Sequence, residues 1–139
     1  MNYKEHSDIN AQIDQILALK TWAIVGLSNN PERAAFRVSK LLQEKGHRIV
    51  PVHPSGESVH GDNGYKALSE IPFPVDVVDC FVNSKLVGAV VDQAIQIGAK
   101  AVWLQLEVID EAAILRAQQA GLLAVMDRCP AIEYKKRSS

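Results

Sequence analysis

The chain has 139 residues, of which 47% are hydrophobic and 22% charged, and this composition is typical of one globular domain with a single sizeable core. Its formal net charge of −1 argues against broad electrostatic binding to nucleic acid or to an anionic membrane, because such binding needs many uncompensated cations. The two cysteines, Cys80 and Cys129, lack C-x-x-C spacing, so we expect neither a disulfide framework nor a metal site.

Residues 1–20 are predicted to form an N-terminal helix that packs on the rest of the chain. Ile9, Ile13, Ile16 and Leu17 recur at helical spacing, and Ser7 or Asp8 precedes them as a candidate N-cap. The first eight residues lack the apolar core of a secretory signal, and no apolar run approaches the roughly 20 residues of a membrane span. We therefore expect a cytoplasmic protein that does not enter a membrane.

The next segment is an apolar strand, Thr21–Val25, that leads through a short turn into a predicted helix from Ala34 to Lys45. A strand feeding a helix N-terminus directs unpaired backbone N–H groups and the positive end of the helix dipole at a ligand, which favours a phosphate. The dinucleotide pattern G-x-G-x-x-G is not met, because Ser28 and Pro31 occupy the places of the second and third glycines after Gly26. The turn therefore predicts a phosphorylated ligand other than NAD.

Within this turn, Asn30 and Pro31 have the chemistry of a helix N-cap and a first helical residue. That role is structural, and it leaves Ser28 and Asn29 freer to contact a ligand.

The second predicted strand, Arg48–Val52, ends in donors and not in the acidic residue that binds an NAD ribose. His53 and Ser55 follow it, and Arg33 lies in the neighbouring turn. These donors suit a phosphorylated ribose, either the 2′-phosphate of NADP or the 3′-phosphate of coenzyme A. His53 itself could hydrogen-bond to a phosphate or a purine, or it could act as a general base. No carboxylate stands at a sequence spacing that would orient it as a base.

The rest of the chain repeats the order helix, glycine, strand. Gly46, Gly98 and Gly121 stand where a left-handed C-cap would release the chain from a helix. The strands that follow these glycines are Arg48–Val52, Ala101–Leu104 and Leu122–Met126, and a further strand is predicted at Val75–Phe81. All are mostly continuous apolar runs, which are typical of buried parallel strands. The pattern predicts a single-domain α/β, Rossmann-like fold, with a doubly wound, mostly parallel sheet of about five strands, helices on both faces and strand one at the switch point.

Ligands of such sheets bind beyond the strand carboxyl ends, which directs attention to five short segments. These are Gly26 to Arg33, His53 to Gly56, Phe81 to Ser84, Gln105 to Val108 and Asp127 to Pro130. Their amides, hydroxyls and cations indicate a binding surface more than an acid/base centre, so no catalytic residue is assigned.

Several side chains near these ends have two interpretations. Trp103 and Phe81 would wall a ligand or pack in the core. Cys129 is either a quiet structural thiol or one made reactive by its neighbour Arg128. The basic run Lys135–Arg137 is interpreted as part of a frayed, solvated tail over residues 135–139.

Four stretches together resemble the small stand-alone coenzyme-A-binding proteins, which are similar to the N-terminal domain of the succinyl-CoA synthetase α subunit. The stretches are Ala23–Pro31, Arg48–Pro54, Trp103–Leu106 and Met126–Tyr134. The resemblance runs from about Trp22 to Tyr134 and implies a coenzyme-A-binding domain over residues 21–134. The further ligase domains do not fit this length, so ligase activity is not implied.

The resemblance implies a non-catalytic protein that binds coenzyme A or an acyl-CoA, with phosphates at the first turn and adenosine beside the second strand. The expected ligand-binding residues are Gly26, Ser28, Asn29, Asn30, Pro31, Arg33, Val52, His53, Pro54, Ser55, Phe81, Asn83, Arg128 and Cys129. Many relatives have Asn at position 53, Lys at 55, Arg at 82 and Gly at 107, where this chain has His53, Ser55, Val82 and Glu107. The alternatives are an NADP(H)-binding oxidoreductase, a nucleotide-sensing regulator, or an interaction subunit with a vestigial ligand site.

Overall fold

The structure is a computed structural model that describes residues 8–138. Five strands alternate with helices along the chain: α1 (Ile9–Leu17), β1 (Thr21–Val25), α2 (Ala34–Glu44), β2 (Arg48–Val52), β3 (Val77–Cys80), α3 (Val87–Gln96), β4 (Ala101–Leu104), α4 (Glu111–Gln119), β5 (Leu123–Val125) and α5 (Pro130–Arg137). A short 3-10 helix, Leu68–Glu70, lies between β2 and β3.

The five strands form one parallel sheet in the order β2-β1-β3-β4-β5. The chain runs outward from β1 in one direction to β2 and then returns to the other side of β1 for β3. Strand order therefore reverses at β1, as predicted, and a crevice opens there at the strand carboxyl ends. The predicted doubly wound α/β fold is confirmed.

Helices cover both faces of the sheet, because the strands are apolar on both sides. On one face α3 and α4 pack over a core that includes Val78, Cys80 and Val102. On the other face α1 and α2 pack over Trp22, Trp103 and their neighbours, with α5 at the margin. The two wholly buried indole rings lie 5.8 Å apart, centroid to centroid.

Three differences from the sequence-based expectations concern element ends and one missed helix. β3 begins at Val77 and ends at Cys80, and β5 covers Leu123–Val125, so both strands are shorter than predicted. α5 was not predicted, although Pro130 stands at its first turn and basic residues fill its last turn, which are ordinary helix signals.

The basic run at the end of the chain is not a frayed tail, and that prediction is wrong for residues 135–137. Lys135–Arg137 form the last turn of α5. The Arg137 guanidinium donates to Glu133 at 2.9 Å and to Asp14 of α1 at 2.6 Å, so this turn is ordered and contacts α1. Ser139 and residues 1–7, including the alternative N-cap Ser7, lie outside the described residues; Asp8 occupies the N-cap position of α1.

Within residues 8–138, the helices are too short or too polar to cross a bilayer.

His47, near the amino end of β2, is buried, and its ring nitrogens bond to the Leu19 carbonyl after α1 and to the Tyr134 hydroxyl of α5. Burial lowers the pKa of His47, with Lys20 adding to the effect and the carbonyl contacts opposing it.

Candidate functional site

A cleft of about 660 Å³ opens at the carboxyl edge of the sheet. Its volume falls within the range of small-molecule sites, roughly 300–1,000 Å³. The described residues that line it are Gly26, Ser28, Asn30, Arg33, Ala34, Ala35, His53, Pro54, Phe81, Val82, Gln105, Leu106, Val108 and Cys129. They come from the segments that follow all five strands, so the cleft runs across the whole sheet.

The strand register explains this elongated shape. Val52, Val25, Cys80 and Leu104 are successive partners across β2, β1, β3 and β4. The residue after each of them lies at the end of its strand, and these four residues all line the cleft: His53, Gly26, Phe81 and Gln105. Because neighbouring strands are about 4.8 Å apart, the floor is a row of side chains in fixed order.

The turn after β1 depends on the absence of a side chain at Gly26. Its φ is +100°, and an added Cβ would lie 2.5 Å from the carbonyl oxygen of Phe81, the residue after β3. The Gly26 N–H donates to the Val52 carbonyl at 2.8 Å, which ties the turn to β2. The predicted requirement for glycine at this turn is confirmed.

The first turn of α2 points its backbone into the cleft. Arg33 is the N-cap residue, and Ala34 and Ala35 follow it in the lining. The first N–H groups of a helix have no intrahelical partner, and the helix dipole makes this end attractive to anions. The small alanine side chains leave room for an anion to approach the backbone.

The predicted roles of Asn30 and Pro31 as N-cap and first helical residue are wrong. The Asn30 side-chain oxygen accepts the Glu32 N–H at 3.0 Å, so it caps a separate turn before the helix. Asn side chains commonly hydrogen-bond to a backbone two residues on, and this local bond competes with helix capping. Asn30 still lines the cleft, whereas Pro31 does not.

Ser28 and Asn29 have different roles. Ser28 lines the cleft, and its hydroxyl accepts the Asn30 N–H at 3.4 Å. Asn29 lies outside the lining, where its N–H donates to the Glu57 carboxylate at 2.6 Å and its amide donates to the Ser58 carbonyl at 2.8 Å. Asn29 thus fastens the turn to the loop after β2.

The loop after β2 contributes His53 and Pro54 to the cleft. The Ser55 N–H donates to Nδ1 of His53 at 3.1 Å, and the Ser55 hydroxyl lies 3.0 Å from the same nitrogen. Because Nδ1 accepts, the proton of the neutral ring is on Nε2. Val52 is buried in the core, and neither Val52 nor Ser55 belongs to the lining.

On the far side of the cleft, Phe81 and Val82 follow β3. Asn83 does not line the cleft, because its side-chain oxygen accepts the N–H groups of Lys85 and Leu86 before α3. Gln105, next to the end of β4, is 6% exposed, and its Oε1 has no hydrogen-bond partner within the described chain. A buried amide oxygen without a partner, on a residue that lines a cleft, is available to a ligand.

Cys129 lies at the end of the cleft beyond β5. It is a free, buried thiol that lines the cleft and occupies the N-cap position of α5. Its neighbour Arg128 donates to the Asp127 carbonyl at 3.1 Å and to the Met126 carbonyl at 3.4 Å. Arg128 lines an adjoining depression of about 350 Å³, not the main cleft.

Trp103 packs in the core, which settles one open interpretation. It is wholly buried, and its indole N–H donates to the Arg128 carbonyl at 2.9 Å. Phe81 is half-buried in the lining and is available to a ligand.

The cleft brings together eight of the predicted site residues: Gly26, Ser28, Asn30, Arg33, His53, Pro54, Phe81 and Cys129. The other six stay outside the lining: Asn29, Pro31, Val52, Ser55, Asn83 and Arg128. The sequence-based predictions did not include Ala34 and Ala35. Their position in the first turn of a helix after a phosphate-sized loop could have indicated that their backbone N–H groups lie near a ligand. The predictions pointed to the segment Gln105–Val108 without assigning a residue there.

The charges around the cleft favour an anion. Among the described lining residues Arg33 is the permanent cation, and none is acidic. One row below the floor lies Asp79, wholly buried on β3, and burial raises its pKa well above the ordinary range. In the described part of the chain, no group of His, Cys, Asp and Glu side chains is arranged to hold a metal ion.

Comparison with protein families finds a match between residues 20–135 and the family model for a CoA binding domain. The uncharacterized protein YneT of Bacillus subtilis (strain 168) is 33% identical over 120 residues, which cover 86% of this chain and 89% of YneT. Among solved structures, a hypothetical protein from Pyrococcus horikoshii OT3 has a TM-score of 0.87 and 39% identity, covering 96% of this chain and 97% of that one.

A larger protein contains a similar segment. The alpha subunit of acetate–CoA ligase (ADP-forming) II from Pyrococcus furiosus is 35% identical over 81 residues, or 58% of this chain. Those residues are 18% of that subunit, so the present chain corresponds to a small part of it.

Proposed function

The chain belongs to the CoA-binding domain family, and from this premise we propose that it is a non-catalytic protein that binds coenzyme A or an acyl-CoA in the cleft. The observation that carries the proposal is the form of the cleft. It is long, crosses all five strand ends and has a phosphate-type turn at β1. Coenzyme A is itself a long molecule with phosphates near one end.

The phosphates would bind at the turn after β1. Ser28, Arg33 and the N–H groups of Ala34 and Ala35 supply donors, and the dipole of α2 adds a favourable field. Gly26 lets the backbone of the turn pass close to the residue after β3, and it lines the cleft without a side chain.

The adenosine part would lie beside β2, between His53 and Pro54. Nε2 of His53 carries a proton and can donate to a phosphate or to a purine nitrogen. Arg33 lines the same cleft and would neutralise part of the charge of the 3′-phosphate.

The pantetheine arm would then cross β3 and β4, over Phe81, Val82 and Gln105. Its two amides alternate with aliphatic groups, which suits a lining that alternates a buried amide with apolar side chains. The acyl group of an acyl-CoA would extend past Leu106 at the rim, a side chain that is 49% exposed.

The absence of a catalytic assignment rests on the described lining. It contains no acidic side chain that would orient His53 as a general base, and Nδ1 of His53 already accepts from Ser55. Binding without turnover is therefore the simpler function.

Isothermal calorimetry tests this proposal. Coenzyme A should bind, and dephospho-coenzyme A should bind several-fold more weakly because it lacks the 3′-phosphate. Ser28→Trp should abolish binding while leaving the melting temperature nearly unchanged, since a half-exposed turn residue adds little to the core. Ser69→Trp is the matched control, because Ser69 is exposed and lies outside the cleft.

Retained affinity in folded Ser28→Trp protein would mean that the phosphates bind elsewhere. No heat with either compound, together with binding of NADPH, would favour the oxidoreductase or regulator alternative. No heat with any nucleotide would leave the interaction subunit with a vestigial site.

A further inference from the structure

We propose that Cys129 forms a mixed disulfide with coenzyme A at the β5 end of the cleft. This inference rests on the proposed function, because the pantetheine arm must bind in the cleft to bring its sulfur to Cys129.

The length of the cleft matches the length of the arm. From the phosphate turn at β1 to the end of β5 there are three strand spacings, or roughly 14 Å. Between its phosphate oxygen and its sulfur the pantetheine arm has about a dozen bonds, equivalent to about four extended residues, and so spans roughly 13–14 Å. With its phosphates at the turn, coenzyme A therefore presents its thiol close to Cys129.

A second feature of the same end of the cleft points to a bound ligand. Gln105 precedes Cys129 along the floor, is 6% exposed and lines the cleft. Its Oε1 is buried without a hydrogen-bond partner within residues 8–138. Leaving a buried carbonyl oxygen without a partner is unfavourable, and a pantetheine amide N–H would satisfy it. Gln105 would thereby fix the last part of the arm.

The position of Cys129 also suits exchange at sulfur. As the N-cap residue of α5 it makes no side-chain capping bond. Pro130 has no N–H, and the Glu133 N–H donates to the Cys129 carbonyl at 3.0 Å. The N–H groups of Ala131 and Ile132 and the positive end of α5 remain to stabilise negative charge on the sulfur during exchange.

The other thiol makes a good internal control. Cys80 is wholly buried among the residues that pack under α3 and α4, on the opposite face of the sheet. Burial, with a smaller contribution from Asp79, raises its pKa well above the ordinary range. Cys80 should therefore not react in the folded protein.

The reaction is a thiol–disulfide exchange with coenzyme A disulfide. The Cys129 thiol loses its proton to water, and its sulfur attacks one sulfur of the disulfide. The bond between the two coenzyme A sulfurs breaks as the Cys129–coenzyme A bond forms, and the departing coenzyme A thiolate takes a proton from water. One disulfide replaces another, so no further oxidant is needed.

The experiment incubates the native protein with coenzyme A disulfide or with glutathione disulfide, and follows the intact mass with time. A single coenzyme A adduct that dithiothreitol removes is expected in wild type and in Cys80→Ser, and none in folded Cys129→Ser. The coenzyme A adduct should form at least roughly tenfold faster than the glutathione adduct at equal concentration, because binding raises the local concentration of the disulfide.

Calorimetry of wild type with reduced coenzyme A separates this inference from the proposed function. Binding of reduced coenzyme A without an adduct at Cys129 would overturn the inference alone. An adduct on Cys80, or equal rates with both disulfides, would overturn it as well. Neither binding nor adduct would remove both proposals.

Discussion

Asp79 occupies the least favourable environment of any carboxyl group in the described chain. It lies on β3 between Ile24 of β1 and Trp103 of β4, both of them wholly buried apolar side chains. Both carboxyl oxygens lack a hydrogen-bond partner within residues 8–138. Burial raises its pKa well above the ordinary range, so the folded protein favours the neutral acid.

The sign of the resulting pH dependence follows from linkage. An Asp in the unfolded chain loses its proton near pH 4, whereas Asp79 in the folded chain holds it to higher pH. The folded state therefore binds more protons in that window. Stability from this group is complete below about pH 4 and is lost as the pH rises through the folded pKa.

Replacing Asp79 should accordingly stabilise the domain. Asp79→Val removes the unsatisfied polar atoms and should raise the free energy of unfolding at pH 7 by about 1–3 kcal/mol. Urea unfolding at several pH values measures the effect. Asp79→Asn is the matched control, because it keeps the shape and the polarity but does not ionise.

The difference in stability between wild type and Asp79→Asn should grow in favour of Asn as the pH rises. Taking this difference cancels the contribution of His47, whose lowered pKa acts in the opposite direction and costs stability as the pH falls below about 6.5. A difference that is constant from pH 4 to 8 would contradict the prediction.

At the scale of the elements, α5 lies at the margin of the face covered by α1 and α2, and polar contacts within it and to α1 add to its packing. Glu133, 2% exposed, accepts from the Arg137 guanidinium at 2.9 Å, and the Lys136 ammonium lies 3.5 Å from its other oxygen. The Arg137–Asp14 pair joins α5 to α1, but the Asp14 side chain is 63% exposed, so that pair should contribute little. Arg137 therefore acts mainly through buried Glu133.

Arg137→Ala should lower the free energy of unfolding by about 1–3 kcal/mol, because it leaves a buried carboxylate with one distant partner. Lys135→Ala removes the same charge from the same turn, where the side chain is exposed, and should change stability by less than about 0.5 kcal/mol. Chemical denaturation of both variants measures the two changes in unfolding free energy. Equal changes would mean that the buried contact with Glu133 contributes nothing beyond the positive charge at the helix end.

At the scale of the whole molecule, the chain offers an anionic ligand little long-range attraction. Its formal net charge is −1, and Arg33 is the permanent cation in the described lining. Glu107, close to the rim, has a φ of +68° that a glycine would adopt more easily. Affinity must come from local hydrogen bonds and contact more than from the field of the protein.

Val82→Arg should therefore strengthen coenzyme A binding, because Val82 lines the cleft and is half-buried beside the expected path of the ligand. A gain of roughly fivefold, about 1 kcal/mol, is expected at low salt, and most of it should disappear in 1 M salt, where charges are screened within about 3 Å. Gln96→Arg adds the same charge at an exposed site on α3 and should change the affinity little.

Calorimetry at two salt concentrations measures the change. A gain that persists in 1 M salt would point to packing in place of charge, and an unchanged affinity would place the ligand away from Val82.

The sequence by itself determined the fold class, the switch at β1 and the glycine turn. These follow from local and periodic features: continuous apolar runs, glycines after helices, and a strand leading into a helix. The carboxyl-end rule also directed attention to the five segments that line the cleft, because strand direction alone decides which ends meet.

Only the tertiary structure decided which side chains in those segments face the cleft. Asn29, Ser55 and Asn83 have the same chemistry as Ser28 and Gln105, but hydrogen bonds to nearby residues direct them away or hold them outside. The Asn29 bond joins the loops after two different strands, which no spacing along the chain encodes. The bonds of Ser55 and Asn83 are to residues two positions away, a local pattern that Ser and Asn side chains commonly form. Strand register sets Asp79 between Ile24 and Trp103 and leaves its carboxyl unsatisfied. The packing of helices on the two faces of the sheet places Cys80 and Cys129 in different cores.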